Sequence, residues 1–122
     1  LQYPFASLLK AGARLAMGSD WAVSTANPLE QIEVAVTRAG RGGQAFLPDE
    51  RLTLDQALRA FTAGSAFVNH DEDAGVLAVG RRADLALLDR DIGVGDFGDG
   101  AIGDAAVLLT VAAGRVVHDR TA

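Results

Sequence analysis

The sequence predicts an α/β chain in two parts, helical from residue 1 to 70 and built of short strands from 71 to 122. Three observations carry this. Apolar residues recur at helical spacing, with start and stop signals, in three stretches before His70. The charged run Asp71-Glu72-Asp73 then breaks the pattern. Beyond it, glycine turns separate brief Val, Leu and Ala runs of strand length.

Pro4 to Lys10 sets Phe5, Leu8 and Leu9 on one helical face, with Pro4 at a permitted first-turn position and Gly12 as the stop. Ala13 to Gly18 is a short apolar strand ending on Ser19 and Asp20, so Asp20 falls just past a strand's carboxyl end. Asn27 caps the next helix, Pro28 takes its first position, and Glu30 reaches back to complete a capping box. Leu29, Ile32 and Val36 face inward, and the helix ends near Gly40. Gly40 to Pro48 is a loop and a candidate lid. Thr53 with Gln56 makes a second capping box before Leu54, Ala57, Leu58 and Phe61. In the tail, Leu85 to Leu88 is a strand buried on both faces. Val107 to Val111 and Arg115 to His118 form a hairpin around Ala112-Ala113-Gly114, and Asp91 to Gly103 is an irregular loop.

Composition narrows the function classes. A chain of 122 residues, 49% hydrophobic and 22% charged, is that of one packed domain. No apolar run approaches the roughly 20 residues of a membrane span. Residues 1 to 70 carry six basic and six acidic side chains, so the net charge of -5 comes wholly from the tail. The basic residues are scattered, which argues against a nucleic-acid partner. Cysteine is absent, so thiolate chemistry is excluded and any metal must use oxygen or imidazole ligands. The same absence suits a reducing, cytoplasmic compartment.

Several apparent motifs fail on context. Gly93 to Gly98 fits G-x-G-x-x-G, but no helix follows to hold a pyrophosphate, and Asp96 and Asp99 repel one. Asp89, Asp91, Asp96 and Asp99 miss the calcium-loop spacing, because positions 93 and 100 are glycine. His70 and His118 lie 48 positions apart and make no metal pair; His70 ends a helix, and His118 sits on a strand near the chain's end. Ser7, Ser24 and Ser65 lack a nucleophile elbow. Asp20 remains. Strand ends gather ligands in parallel α/β architectures, yet aspartates there also cap loops, and the local sequence leaves the two readings level. Trp21 is likewise divided between core and pocket lining.

The order of elements is more specific. Gly18-Ser19-Asp20-Trp21, Asn27-Pro28-Leu29, the Leu54 to Thr62 helix pattern, Gly75 to Leu85 with Arg82 near the place of a usual lysine, and the closing hairpin Leu108 to Val117 follow one another. This series resembles the C-terminal end of the amidohydrolase superfamily, nearest to its D-aminoacylase-like, imidazolonepropionase-related branch. The resemblance implies a (β/α)8 barrel, with residues 1–70 supplying its last strand and flanking helices, and residues 71–122 supplying strands of the small β-sandwich beside it. The fold is thus expected to be incomplete.

In that family the aspartate after the last strand binds the catalytic metal and takes a proton from the attacking water, and Asp20 is the position to which the role transfers. Ser19 and Trp21 become pocket neighbours, and zinc is the expected divalent ion. The family's His-x-His pair, its bridging lysine or glutamate and its two later histidines have no counterpart here. A barrel needs roughly 250 residues. The chain is therefore expected to be a fragment, inactive alone, of a hydrolase that cleaves an amide or cyclic amide C-N bond of a small-molecule substrate. The rival expectation is a stand-alone binding or structural module without catalysis. Unpaired strand edges point to homodimerisation or strand exchange in either case.

Overall fold

The computed structural model describes residues 2–93 and 100–121. Its helices are α1 (Phe5–Lys10), α2 (Pro28–Thr37), α3 (Leu54–Arg59) and α4 (Ser65–Val68), the last two joined without a break by a π-helical segment, Ala60–Gly64. A 3-10 turn, Pro48–Glu50, precedes α3. Three strands follow, β1 (Leu85–Leu88), β2 (Val107–Ala112) and β3 (Arg115–Asp119), in one antiparallel sheet ordered β1-β2-β3. Helices and sheet are thus both present, in the predicted order.

Local chemistry explains most boundaries. Pro4 occupies the N-cap position of α1 without a side-chain hydrogen bond, and Gly12 ends the helix at φ 88°, with the Gly12 and Ala13 N-H groups donating to Leu9 and Leu8 carbonyls. The Asn27 Oδ1 accepts from the Leu29 N-H at 3.0 Å and caps α2. The expected capping box is absent there, because Glu30 accepts from the Asn27 side-chain amide at 3.1 Å while the Asn27 backbone N-H donates to Thr25 Oγ1. Arg38, left-handed at φ 60°, closes α2 before Gly40 is reached. At α3 the second box forms in full: Gln56 N-H donates to Thr53 Oγ1, and Thr53 N-H to Gln56 Oε1.

The core gathers Leu29, Ile32, Ala35 and Val36 of α2 with Leu52 and Ala57. Two tail residues, Ile102 and Ala105, complete it, and Ile102 has no exposed surface. The distal end of the expected 91–103 loop is therefore packed and not solvated. The glycine-rich pattern at 93–98 falls outside the described residues, apart from Gly93.

Two expectations about strands are corrected. Ala13 to Gly18 forms no strand, because none of the three strands runs beside it to supply a ladder. Its hydrogen bonds go to the helix instead. Met17 N-H donates to the Ala60 carbonyl at 3.0 Å, and the Ser65 hydroxyl donates to the Met17 carbonyl. A Cβ on Gly64 would run into the Leu15 carbonyl oxygen, so only glycine lets helix and segment approach this closely. β1 forms as expected but is not buried on both faces, since Leu85, Ala86 and Leu87 are exposed and Leu88 is half-buried; as an outer strand it has β2 on one edge only.

The tail is tied to the helices by charge. The Arg82 guanidinium spans Asp71, just past α4, and Asp84, just before β1, at 2.6 Å each. Asp84 also accepts the Ala113 N-H at 2.7 Å, and that bond and Arg82 hold its carboxyl below the usual range. Where β1 ends, Arg90 and the Ala106 N-H bring the Asp89 carboxyl down to about 2. The β2-β3 connection is a two-residue turn, Ala113 at φ 50° and Gly114 at φ 76°. That backbone suits Asn-Gly and strains alanine. Replacing Ala113 with Asn is expected to raise unfolding stability by roughly 0.5–1 kcal/mol. Urea denaturation measures it, and a loss of stability would contradict the turn assignment.

Candidate active site

Asp20 stands at the end of the 13–18 segment, its backbone left-handed at φ 48°, a conformation that aspartate tolerates better than most residues. Its carbonyl accepts the Val23 N-H at 2.8 Å, which turns the chain. The Trp21 N-H donates to Ser19 Oγ at 3.2 Å. Ser19, Asp20 and Trp21 are thus held in one tight loop. The Asp20 side chain is exposed, Ser19 is half-buried, and Trp21 is 67% exposed, which removes the core reading of its indole.

Two residues that sequence reasoning passed over hold this end of the molecule. Gln31, one turn into α2, donates from Nε2 to the Thr25 carbonyl at 2.8 Å and to the Ser19 carbonyl at 3.3 Å. It spans the loop that carries Asp20. Its Oε1 is buried and has no donor among the described residues. Glu33 lies buried among the inward residues of α2 and accepts three backbone N-H groups, from Gly100 and Ile102 at 2.9 Å and Gly103 at 2.7 Å. Burial alone would raise its carboxyl, but the Gly103, Gly100 and Ile102 donors outweigh that and hold it below its ordinary value. A sequence signal existed for Glu33, since it falls four residues after Leu29 on the apolar face. No such signal marked Gln31.

The loop expected as a lid is anchored at its base. Arg38 and Phe46 exchange bonds, Phe46 N-H to the Arg38 carbonyl at 2.7 Å and Arg38 Nε to the Phe46 carbonyl at 3.2 Å. The Arg38 side chain is buried over the Phe5 ring.

Among the described residues, no group of three or more His, Cys, Asp or Glu is placed to hold a metal ion. A catalytic zinc takes three protein ligands. Asp20 offers one carboxylate, while His118 is engaged on the sheet with the Val107 carbonyl and His70 sits past α4. The donor set of the described residues therefore does not fit a complete zinc site.

A family model described as "Amidohydrolase family" matches residues 1–118. The chain belongs to the amidohydrolase family. Among its amidohydrolase relatives, the N-substituted formamide deformylase of Arthrobacter pascens is 35% identical over 120 residues, covering 98% of this chain and 22% of the relative. The imidazolonepropionase of Herpetosiphon aurantiacus is 38% identical over 94% of this chain and 25% of its own length. A crystal structure of a triazine hydrolase variant superposes with a TM-score of 0.68 at 31% identity, over 96% of this chain and 27% of that one. This amidohydrolase chain thus spans about a quarter of the length of such relatives. No helix among its described residues is long and apolar enough to cross a membrane.

Glu33 generates a prediction for the chain itself. Replacing it with Ala strands three buried N-H groups and is expected to cost about 2–3 kcal/mol of unfolding stability. The folded carboxyl lies below its ordinary 4.5, so its contribution is complete above that pH and is lost as pH falls through the folded value. Chemical denaturation across pH 3 to 7 should show a steeper acid loss for the native chain than for Glu33→Gln. Parallel profiles would contradict the role.

Proposed function

We propose that this chain is the C-terminal portion of a hydrolase that cleaves a C-N bond, an amide or cyclic amide, in a small-molecule substrate, and that Asp20 is its catalytic carboxylate. The observation that carries this is the position of Asp20, exposed at the tip of a segment that the helix beneath holds rigidly, in a chain of amidohydrolase sequence. The names of the relatives support the bond type, since they include a formamide deformylase and a triazine hydrolase. Asp20 acts as a base: it takes the proton from the attacking water and passes it to the leaving nitrogen. The family resemblance makes it a ligand of a divalent ion as well, zinc by expectation, whose remaining ligands this chain's described residues do not complete.

In the larger protein, residues 13–18 serve as a barrel strand and the three-stranded sheet as one layer of the small β-sandwich. The free outer edges of β1 and β3 support this, because edges of this kind are normally paired or covered. They equally suit pairing with a second copy of the chain. The test is Asp20→Asn in a polypeptide that carries this chain within a family-length protein. Hydrolysis of an N-substituted formamide or cyclic amide is expected to fall at least about 100-fold with folding unchanged. Turnover near the native rate would end the role of Asp20, and no hydrolysis by the native family-length protein would favour the non-catalytic module.

A further inference from the structure

We infer that Gln31 is the positioning residue of the Asp20 loop, an inference that rests on the proposed role of Asp20. The amide orientation is fixed by its partners. Ser19 and Thr25 present carbonyl oxygens, which only accept, so the nitrogen must face them and the oxygen must face away. Facing away, Oε1 is buried and finds no donor among the described residues, so the two bonds from Nε2 are what this side chain makes.

The geometry shows what the two bonds hold. The Ser19 carbonyl is joined to the Asp20 nitrogen through one peptide unit, and Thr25 lies past the turn that the Val23 N-H closes onto the Asp20 carbonyl. One amide therefore pins both ends of a loop that has no ladder and little burial of its own. Gln31 itself projects from α2, whose cap at Asn27 and core residues Leu29 and Ile32 are fixed. The aspartate's position is thus referred to a rigid helix and not to the loop. Small misplacements of a reacting group lower the rate strongly while leaving binding nearly intact.

The test uses Gln31→Met, which keeps size and flexibility but donates nothing, in the family-length protein. Removing the amide leaves the half-buried Ser19 and Thr25 carbonyls without this donor but also removes a buried oxygen, so thermal stability should fall only modestly. The expected result is a kcat at least tenfold lower with KM within twofold. A kcat within twofold of native, in a protein that Asp20→Asn inactivates, would overturn the inference and leave the role of Asp20 standing. Unchanged turnover in both variants would instead overturn the role of Asp20, and this inference with it. Should Gln31→Met not fold, Gln31→Glu in the same protein carries the test through amide exchange at Val23. Exchange accelerated tenfold or more is expected, and an unchanged rate would overturn the inference.

Discussion

The closeness of the Leu15 backbone to Gly64 is the constraint on which the rest of the structure depends. Helix and segment could not meet this way with any side chain at residue 64. The π-helical widening over Ala60–Gly64 is the matching feature on the helix side, because it presents the Ala60 carbonyl to the Met17 N-H. With Ser65 taking the Met17 carbonyl, both polar groups of that residue are satisfied without a neighbouring strand. The segment is then fixed against the helix, and the loop after it leads to α2. Asp20 is placed by backbone contacts three to five residues upstream.

A second set of contacts makes the tail part of the same body. Ile102 joins the core cluster of α2, Leu52 and Ala57, and Glu33 draws the Gly100, Ile102 and Gly103 N-H groups onto the helix. Three charge-assisted bonds to one buried carboxylate satisfy backbone that would otherwise be stranded. Gly75, at φ 82°, passes so near Ala63 and Ala66 that a Cβ would come within 2.8–2.9 Å of them. Arg82 then fixes the entry to β1 through Asp71 and Asp84. Sheet and helices are therefore coupled by packing, by one buried carboxylate and by one bridging guanidinium.

What the sequence revealed follows from the range of each interaction. The Thr53-Gln56 box, the Asn27 cap, the Gly12 stop and the β2-β3 turn are settled within a few residues, and all four were legible. The 13–18 run looked like a strand because its composition suits one, but a strand needs a neighbour, and here a helix takes its hydrogen bonds. The π-helical segment left no local trace besides Gly64. Leu85 and Leu87 suggested a doubly buried strand, and burial depends on what lies across the sheet. Asp20, Ser19 and Trp21 share one loop because they are contiguous, while their proposed role rests on the family resemblance. Gln31 was not legible, because a glutamine on a half-buried helix face announces nothing until the carbonyls it spans are in place.

The helix, and not the loop, holds the segment leading to Asp20. Amide hydrogen exchange at Met17 tests it most directly. The prediction is protection comparable to Leu52, whose N-H donates to the Ala35 carbonyl at 3.0 Å in the core. Exchange of Met17 at the rate of an unprotected loop, with Leu52 still slow, would contradict it.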